Sequence, residues 1–285
     1  MNKEVCEKFL TLRKSLSDEL DSSGDYQFKD DNFLNDYCDN KECKDEFDKI
    51  SAGCLYLFAA FYGTSELFDS VAKGNINIVD YIFIWLSYML NLGNNEKSAS
   101  IDHFCNDYIY NDKKYNNKIE NVTDYQSYME LIEKKHDLMN INDMNKFYEP
   151  FKILCNMYIE FNKQSTNCEK HLEDANKFVE KYDELNEDYN NGKYTPYNQL
   201  LSTLSNDYYN LKSICYDFPL LPTYSRKFVI KSTLIPIAFI FVAVSIFLGI
   251  AYKYSLLGFR KRSQKQCLRE RIKNIKKKLI INKLF

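Results

Sequence analysis

Ser232 to Tyr252 reads STLIPIAFIFVAVSIFLGIAY, 21 residues without one charged side chain. Coiled as a helix rising about 1.5 Å per residue it extends roughly 31 Å, which matches a bilayer hydrocarbon core of about 30 Å. The segment therefore predicts a transmembrane helix and excludes a simple soluble globule. Pro236 falls in its second turn, where losing one helical hydrogen bond does least damage. Ile76 to Leu92 is also apolar, but only about twelve residues follow Asp80 before the polar stretch from Gly93 to Lys97, a length that predicts a buried core helix. One span excludes a polytopic transporter.

The span divides a chain whose formal charge of −2 conceals two opposed regions. Residues 1–252 carry 26 basic and 39 acidic side chains, a net of −13, and residues 253–285 carry 12 and 1, a net of +11. The acidic body would be repelled by phosphate, which argues against a nucleic-acid partner. Lys231 bounds the span on one side and Lys253, then Arg260, Lys261 and Arg262, bound it on the other, and the positive-inside bias places that more strongly basic end in the cytosol. Residues 1–231 must then be translocated, although the first twenty residues hold no uninterrupted apolar run and no small-residue cleavage site. The tail-anchored alternative keeps the body cytosolic but drags a net eleven positive charges across the bilayer.

Eight of the nine cysteines, Cys6, Cys38, Cys43, Cys54, Cys105, Cys155, Cys168 and Cys215, precede the span, and Cys267 follows it. An even number on one side and a single thiol on the other is the distribution expected of an oxidised ectodomain and a reduced cytosolic tail. All eight are disulfide candidates with open connectivity. Cys155 and Cys168 flank a polar connection between two helical patterns, which makes a bridge across that hairpin one candidate pairing.

With only 8 Gly and 5 Pro, long helices with few connections are favoured over a turn-rich sandwich. Phe47, Ile50, Cys54, Leu57, Phe58 and Phe61 recur at helical spacing. Thr123 and Gln126 read as a capping box for a helix running through Leu138. Met144 to Tyr158 continues the pattern, with Pro150 expected to kink or break it. Further stripes run from Leu172 to Tyr189 and from Leu200 to Ile214, the second opened by Thr195-Pro196. Almost nothing reads as a strand. The expected architecture is all-α: a helical-bundle ectodomain over 1–222, a short juxtamembrane stalk over 223–231, the transmembrane helix over 232–252 and a basic amphipathic cytosolic tail over 253–285. Polar segments at Asp18 to Asp31, Gly93 to Ile101, Asp112 to Asn121 and Asn186 to Thr195 are the expected display loops.

No motif in the sequence carries catalysis. His103, His136 and His171 lie at no ligand spacing, and Cys38 with Cys43 lacks a second pair to complete a zinc site. Phosphate-loop, dinucleotide and nucleophile-elbow glycine motifs are missing from the sequence. No enzyme, cofactor or metal is expected. Asn121-Val122-Thr123 is a glycosylation acceptor sequence. In the tail, Leu268, Ile272, Ile275 and Leu279 form an apolar stripe among basic residues. Arg260, Lys261, Arg262, Lys265, Arg269, Arg271, Lys273, Lys276, Lys277 and Lys278 are the expected contacts with anionic inner-leaflet lipids, each worth about 1 kcal/mol near the surface.

KISAGCLYLF (Lys49 to Phe58), DYIFIWLSYMLNL (Asp80 to Leu92), MNKFYEPFKILCNMY (Met144 to Tyr158), LSTLSNDYYNLKSIC (Leu201 to Cys215) and YKYSLLGFRKRSQKQCLRE (Tyr252 to Glu270) resemble, in this order, the Plasmodium interspersed repeat (PIR) family of variant proteins, rodent-parasite members especially. That resemblance implies a helical ectodomain with several disulfides and no catalytic site. It further implies export to, or display at, the infected red cell or parasite-derived membranes, with roles in antigenic variation, immune evasion and binding of a host receptor or antibody. The lack of a signal peptide is usual in that family. The alternative function is an internal structural or trafficking protein of parasite-derived membranes with its bulk in the cytosol.

Overall fold

The computed structural model describes residues 1–29, 31–93, 100–161, 167–186, 195–223 and 235–281. It divides into two compact units, Met1–Ser225 and Arg226–Phe285.

The first unit is built around a helix that has no polar face. This is α5 (Ile78–Leu92) in the chain order α1 (Lys3–Ser15), α2 (Asp31–Asn35), α3 (Glu46–Tyr62), α4 (Ser65–Ser70), α5. Twelve residues of α5 are buried, Trp85 among them, as expected of a helix that is apolar all round. It packs against α3 and against α9 (Tyr148–Glu160), while α9 lies between α1 and α10 (Leu172–Leu185) and also meets α11 (Pro196–Lys212). Between α5 and α9 come the short helices α6 (Ile101–Phe104), α7 (Lys113–Asn116) and α8 (Tyr128–Lys134), with a π-helical turn at Cys105–Ile109.

Local chemistry sets the helix starts. Asn2, Asp45, Thr64, Ser100 and Thr195 each accept a hydrogen bond from a backbone N–H of their own first turn, and Pro196 fills the first helical position of α11. The capping box expected at Thr123 and Gln126 stands one turn later. Ser127 Oγ accepts from Glu130 N, and Glu130 returns a carboxylate oxygen to Gln126 N at 2.7 Å. Helix α8 accordingly ends at Lys134, and His136–Asn140 is a 3-10 turn. Pro150 does not break a helix. The backbone is 3-10 over Met144–Phe147 and α-helical from Tyr148, so Pro150 sits in the first turn of α9, where its missing N–H has no carbonyl to serve.

The all-α expectation needs one correction. Leu16–Leu20 (β1) and Tyr26–Phe28 (β2) form an antiparallel hairpin, in the region expected to be a display loop. Asp21 accepts from the N–H groups of Ser23 and Asp25, and Gly24 takes φ +88°, a turn that an L side chain resists. Those two bonds hold the Asp21 carboxyl below its usual range. Leu16 and Tyr26 turn inward, and the Tyr26 hydroxyl donates to the Met89 carbonyl of α5.

Gly53 of α3 lies close against side chains of α5 and α1. A Cβ there would lie 2.8 Å from Cη2 of Trp85 and 3.3 Å from Cδ1 of Leu12. Both neighbours are core side chains with little room to move. Gly53→Ala should cost about 1 to 3 kcal/mol by overpacking, read as a drop in Tm of about 2 to 4 °C per kcal/mol. An unchanged Tm would show that the indole yields freely.

The described residues of the second unit form one continuous helix, α12 (Ile235–Ile281). Among the described residues no helix is long and apolar enough to cross a membrane. Three residues of the expected span, Ser232, Thr233 and Leu234, lie outside the described residues, as do 224–231 of the expected stalk. Within α12, Ile237, Phe239, Phe241, Phe247 and Leu248 are exposed.

Candidate functional site

Three disulfides frame the first unit. Cys6 of α1 joins Cys155 of α9, Cys38 joins Cys43 across a five-residue separation, and Cys168 joins Cys215 just past α11. The Cys155–Cys168 pairing is therefore corrected. Cys155 occupies the face of α9 that packs on α1, and Cys168 lies in the 3-10 turn before α10, within reach of the end of α11. Cys54 and Cys105 are also corrected: both are free, fully buried thiols. Burial pushes the Cys54 thiol up to about 12 and raises that of Cys105 further, partly through Cys54 beside it. Such cysteines act as small hydrophobes and not as nucleophiles.

The short Cys38–Cys43 loop forms one wall of an open groove of about 360 Å³. Asp39, Glu42, Asp45, Asp48, Asp107 and Asp112 line it. Lys114 bridges its two sides, donating to the Tyr37 carbonyl and to Asp39 Oδ1, each at 3.0 Å. Asn40 and Lys41 both take positive φ (54° and 61°). The dense acidic residues on either side of Cys43 were the sequence signal for this feature.

Buried ionic clusters hold the elements behind the surface. Asp18 of β1 accepts from the Tyr148 hydroxyl at 3.2 Å and from Lys152 Nζ at 3.4 Å, and the Tyr88 hydroxyl donates to its carbonyl. Asp80 in α5 has Lys135 Nζ 2.7 Å from Oδ1 and accepts from Thr203 at Oδ2. At 2.7 Å the Lys135 ammonium is the charge that faces the buried Oδ1. Asp207 in α11 pairs with the Met1 ammonium and accepts from the buried Tyr81 hydroxyl. None of the three clusters was visible in the sequence, because each joins residues far apart along the chain.

The histidines stay apart. His103 meets Asp107 at 3.5 Å on the surface, His136 is exposed, and His171 is buried against the Phe161 ring. Among the described residues no group of His, Cys, Asp and Glu could hold a metal ion. Asn121 is exposed and left-handed (φ 61°), at the end of a segment whose only helix is α7. Of the other expected display loops, residues 94–99 and 187–194, together with Asp30, lie outside the described residues. Arg260, Lys261, Arg262, Lys265, Arg269, Arg271, Lys273, Lys276, Lys277 and Lys278 all fall within α12, as does the exposed, free Cys267.

The first unit is thus a disulfide-stapled helical body with an acidic groove on its surface. The comparisons assign it further: residues 6–253 match the family model of the Plasmodium variant antigen proteins Cir/Yir/Bir, and the chain belongs to that family. A solved Plasmodium PIR protein ectodomain is similar in structure, with a TM-score of 0.59 and 33% sequence identity over 78% of this chain and 97% of that one. No curated protein matches.

Proposed function

We propose that this chain is a single-pass variant surface antigen of the infected red cell, serving antigenic variation and immune evasion without catalysis. Residues 1–222 lie outside, 232–252 span the bilayer, and 253–285 face the cytosol. One observation carries this reading: all three disulfides lie in the acidic body upstream of the uncharged segment, and the sole cysteine downstream is free. That distribution is the one an oxidising exterior and a reducing cytosol impose. The uncharged length of Ser232 to Tyr252 and the basic flank after it support the span and its direction. Arg260, Lys261 and Arg262 stand within a few turns of the inner leaflet and engage its anionic headgroups. The hairpin tip around Ser23, the acidic groove and Asn117 to Asn121 form the surface offered to a host receptor or antibody, with Asn121 available for glycosylation.

The unpaired thiols Cys54 and Cys105 favour a second reading, an internal protein of parasite-derived membranes with the body in the cytosol. Alkylation and proteolysis separate the two. Protein taken from infected cells, denatured and alkylated without reduction, should carry three labels, on Cys54, Cys105 and Cys267, and reduction should add six. Protease applied to unpermeabilised cells should remove the residues before Lys231. Nine labels without reduction and a body that survives the protease would establish the cytosolic arrangement instead.

A further inference from the structure

α12 carries the basic tail as a direct continuation of the apolar segment, without a helix break between Ile235 and Ile281. Within the tail, Leu268, Ile272 and Ile275 are half or more exposed (62%, 50% and 59%) and recur at spacings of four and three. Leu279 follows at four. Written as heptads, Lys265, Ile272 and Leu279 occupy a, and Leu268 and Ile275 occupy d. The flanking e positions are Arg269 and Lys276, and the g positions are Arg271 and Lys278, so all four are basic. Glu270 is the only acidic residue after Tyr252, and it sits at f, facing away from the seam.

Two occupants of this seam are disfavoured by charge and geometry. A second copy would set basic g against basic e in a parallel pair, and e against e or g against g in an antiparallel one, so both orientations juxtapose like charges. The inner leaflet lies too far away, an argument that rests on the proposed span. Arg269 follows Tyr252 by 17 residues and Lys278 by 26. A continuous helix carries them roughly 25 and 39 Å along its axis, against a Debye length of about 8 Å in physiological salt.

We propose that the seam formed by Leu268, Ile272, Ile275 and Leu279 docks an amphipathic helix of another protein whose own e and g positions are acidic, forming a two-stranded heterotypic coiled coil. The apolar seam supplies burial, and the basic flanks select the acidic partner and reject self-association. The basic tail thereby acts as a cytosolic receptor for a protein instead of a membrane-surface helix along its whole length.

The test uses the full chain in nanodiscs of neutral phosphatidylcholine, with an environment-sensitive dye on Cys267, which is exposed while Cys54 and Cys105 are buried. The probe is a synthetic helix of three heptads with Ile at a, Leu at d and Glu at e and g. It should bind saturably and shift the dye emission to the blue. Ile272→Ser with Ile275→Ser should weaken binding at least tenfold, whereas Lys273→Gln with Lys277→Gln, at the outward b and f positions, should weaken it less than threefold. Equal losses in the two variants would reduce the interaction to bulk charge and overturn the seam. A blue shift on anionic nanodiscs with no peptide present would make the membrane the occupant, and energy transfer between differently labelled copies would make it a second chain; either result overturns the proposal. A chain that stays outside the discs yet binds the peptide with the same seam dependence would strike the span reading alone. One that enters the discs and ignores the peptide would strike the seam alone.

Discussion

Replacing Cys6 and Cys155 together by alanine should cost residues 1–225 close to half the stability of an ordinary domain. The bridge closes a separation of 149 residues. The chain-entropy relation assigns a loop of that length about 5 kcal/mol, against about 2 for a five-residue loop and about 4 for one of 47. Total stabilities are only about 5 to 15 kcal/mol. Urea unfolding should therefore place Cys6→Ala/Cys155→Ala far below the parent and Cys38→Ala/Cys43→Ala less than half as far below it. The double variants matter, since a single replacement strands a buried thiol that can exchange with another bridge. Cys6 is fully buried and Cys155 nearly so, which keeps reductants from this bond until the α1–α9 contact opens. If the two double variants unfold at the same urea concentration, α1 is held by packing alone and the long bridge contributes nothing.

The same α1–α9 contact shows why the fold was legible in one sense and opaque in another. Helices α3, α5 and α11 could be read directly. Their apolar residues recur at three and four or fill every face, and Thr195-Pro196 announces the start of α11. Periodicity reports which residues are inside but not what lies across from them, so the pairing of Cys155 with Cys6 was beyond reach. The hairpin was missed for a related reason. LSDEL and YQF are too short to show alternation, and their pairing depends on a turn closed by the Asp21 side chain. Cys54 could have been found. It stands in the stripe of Ile50, Leu57 and Phe61, and a cysteine at a core position of a helix is better read as a small apolar side chain than as half of a disulfide. Parity groups it with the oxidised cysteines, whereas periodicity places it in the core. The acidic groove was half visible, since its Asp39, Glu42, Asp45 and Asp48 are close in sequence, but Asp107, Asp112 and the bridging Lys114 arrive only through the packing of the π-helical turn and α7 near α3.

Lys135→Met should destabilise the first unit by about 3 kcal/mol at neutral pH, and the loss should shrink as the solution is acidified. Asp80 is almost fully buried in α5, and Lys135 Nζ lies 2.7 Å from its Oδ1. Burial already raises the Asp80 carboxyl, with Lys135 and the Thr203 hydroxyl pulling the other way. Removing the cation leaves a buried carboxylate with the hydroxyl as its one remaining partner, and breaking a buried pair from one side costs about 3 to 5 kcal/mol. The lower figure applies because the Lys135 side chain is 16% exposed and water can enter the space it vacates. The pH dependence follows from the direction of the shift. With the folded carboxyl raised, the native state binds more protons than the unfolded chain, so stability falls as pH rises through the raised pKa and is recovered below it. Asp80→Asn should be much milder than Lys135→Met. It removes the charge that burial penalises, keeps an acceptor for Thr203, and leaves Lys135 with Asn77 Oδ1 at 2.8 Å and some access to solvent. Its cost should be about 1 kcal/mol, the worth of one ordinary hydrogen bond, and adding it to Lys135→Met should restore most of what that change removed. Equal costs for the two single variants, or a Lys135→Met deficit that does not vary with pH, would mean that water, not Lys135, satisfies Asp80.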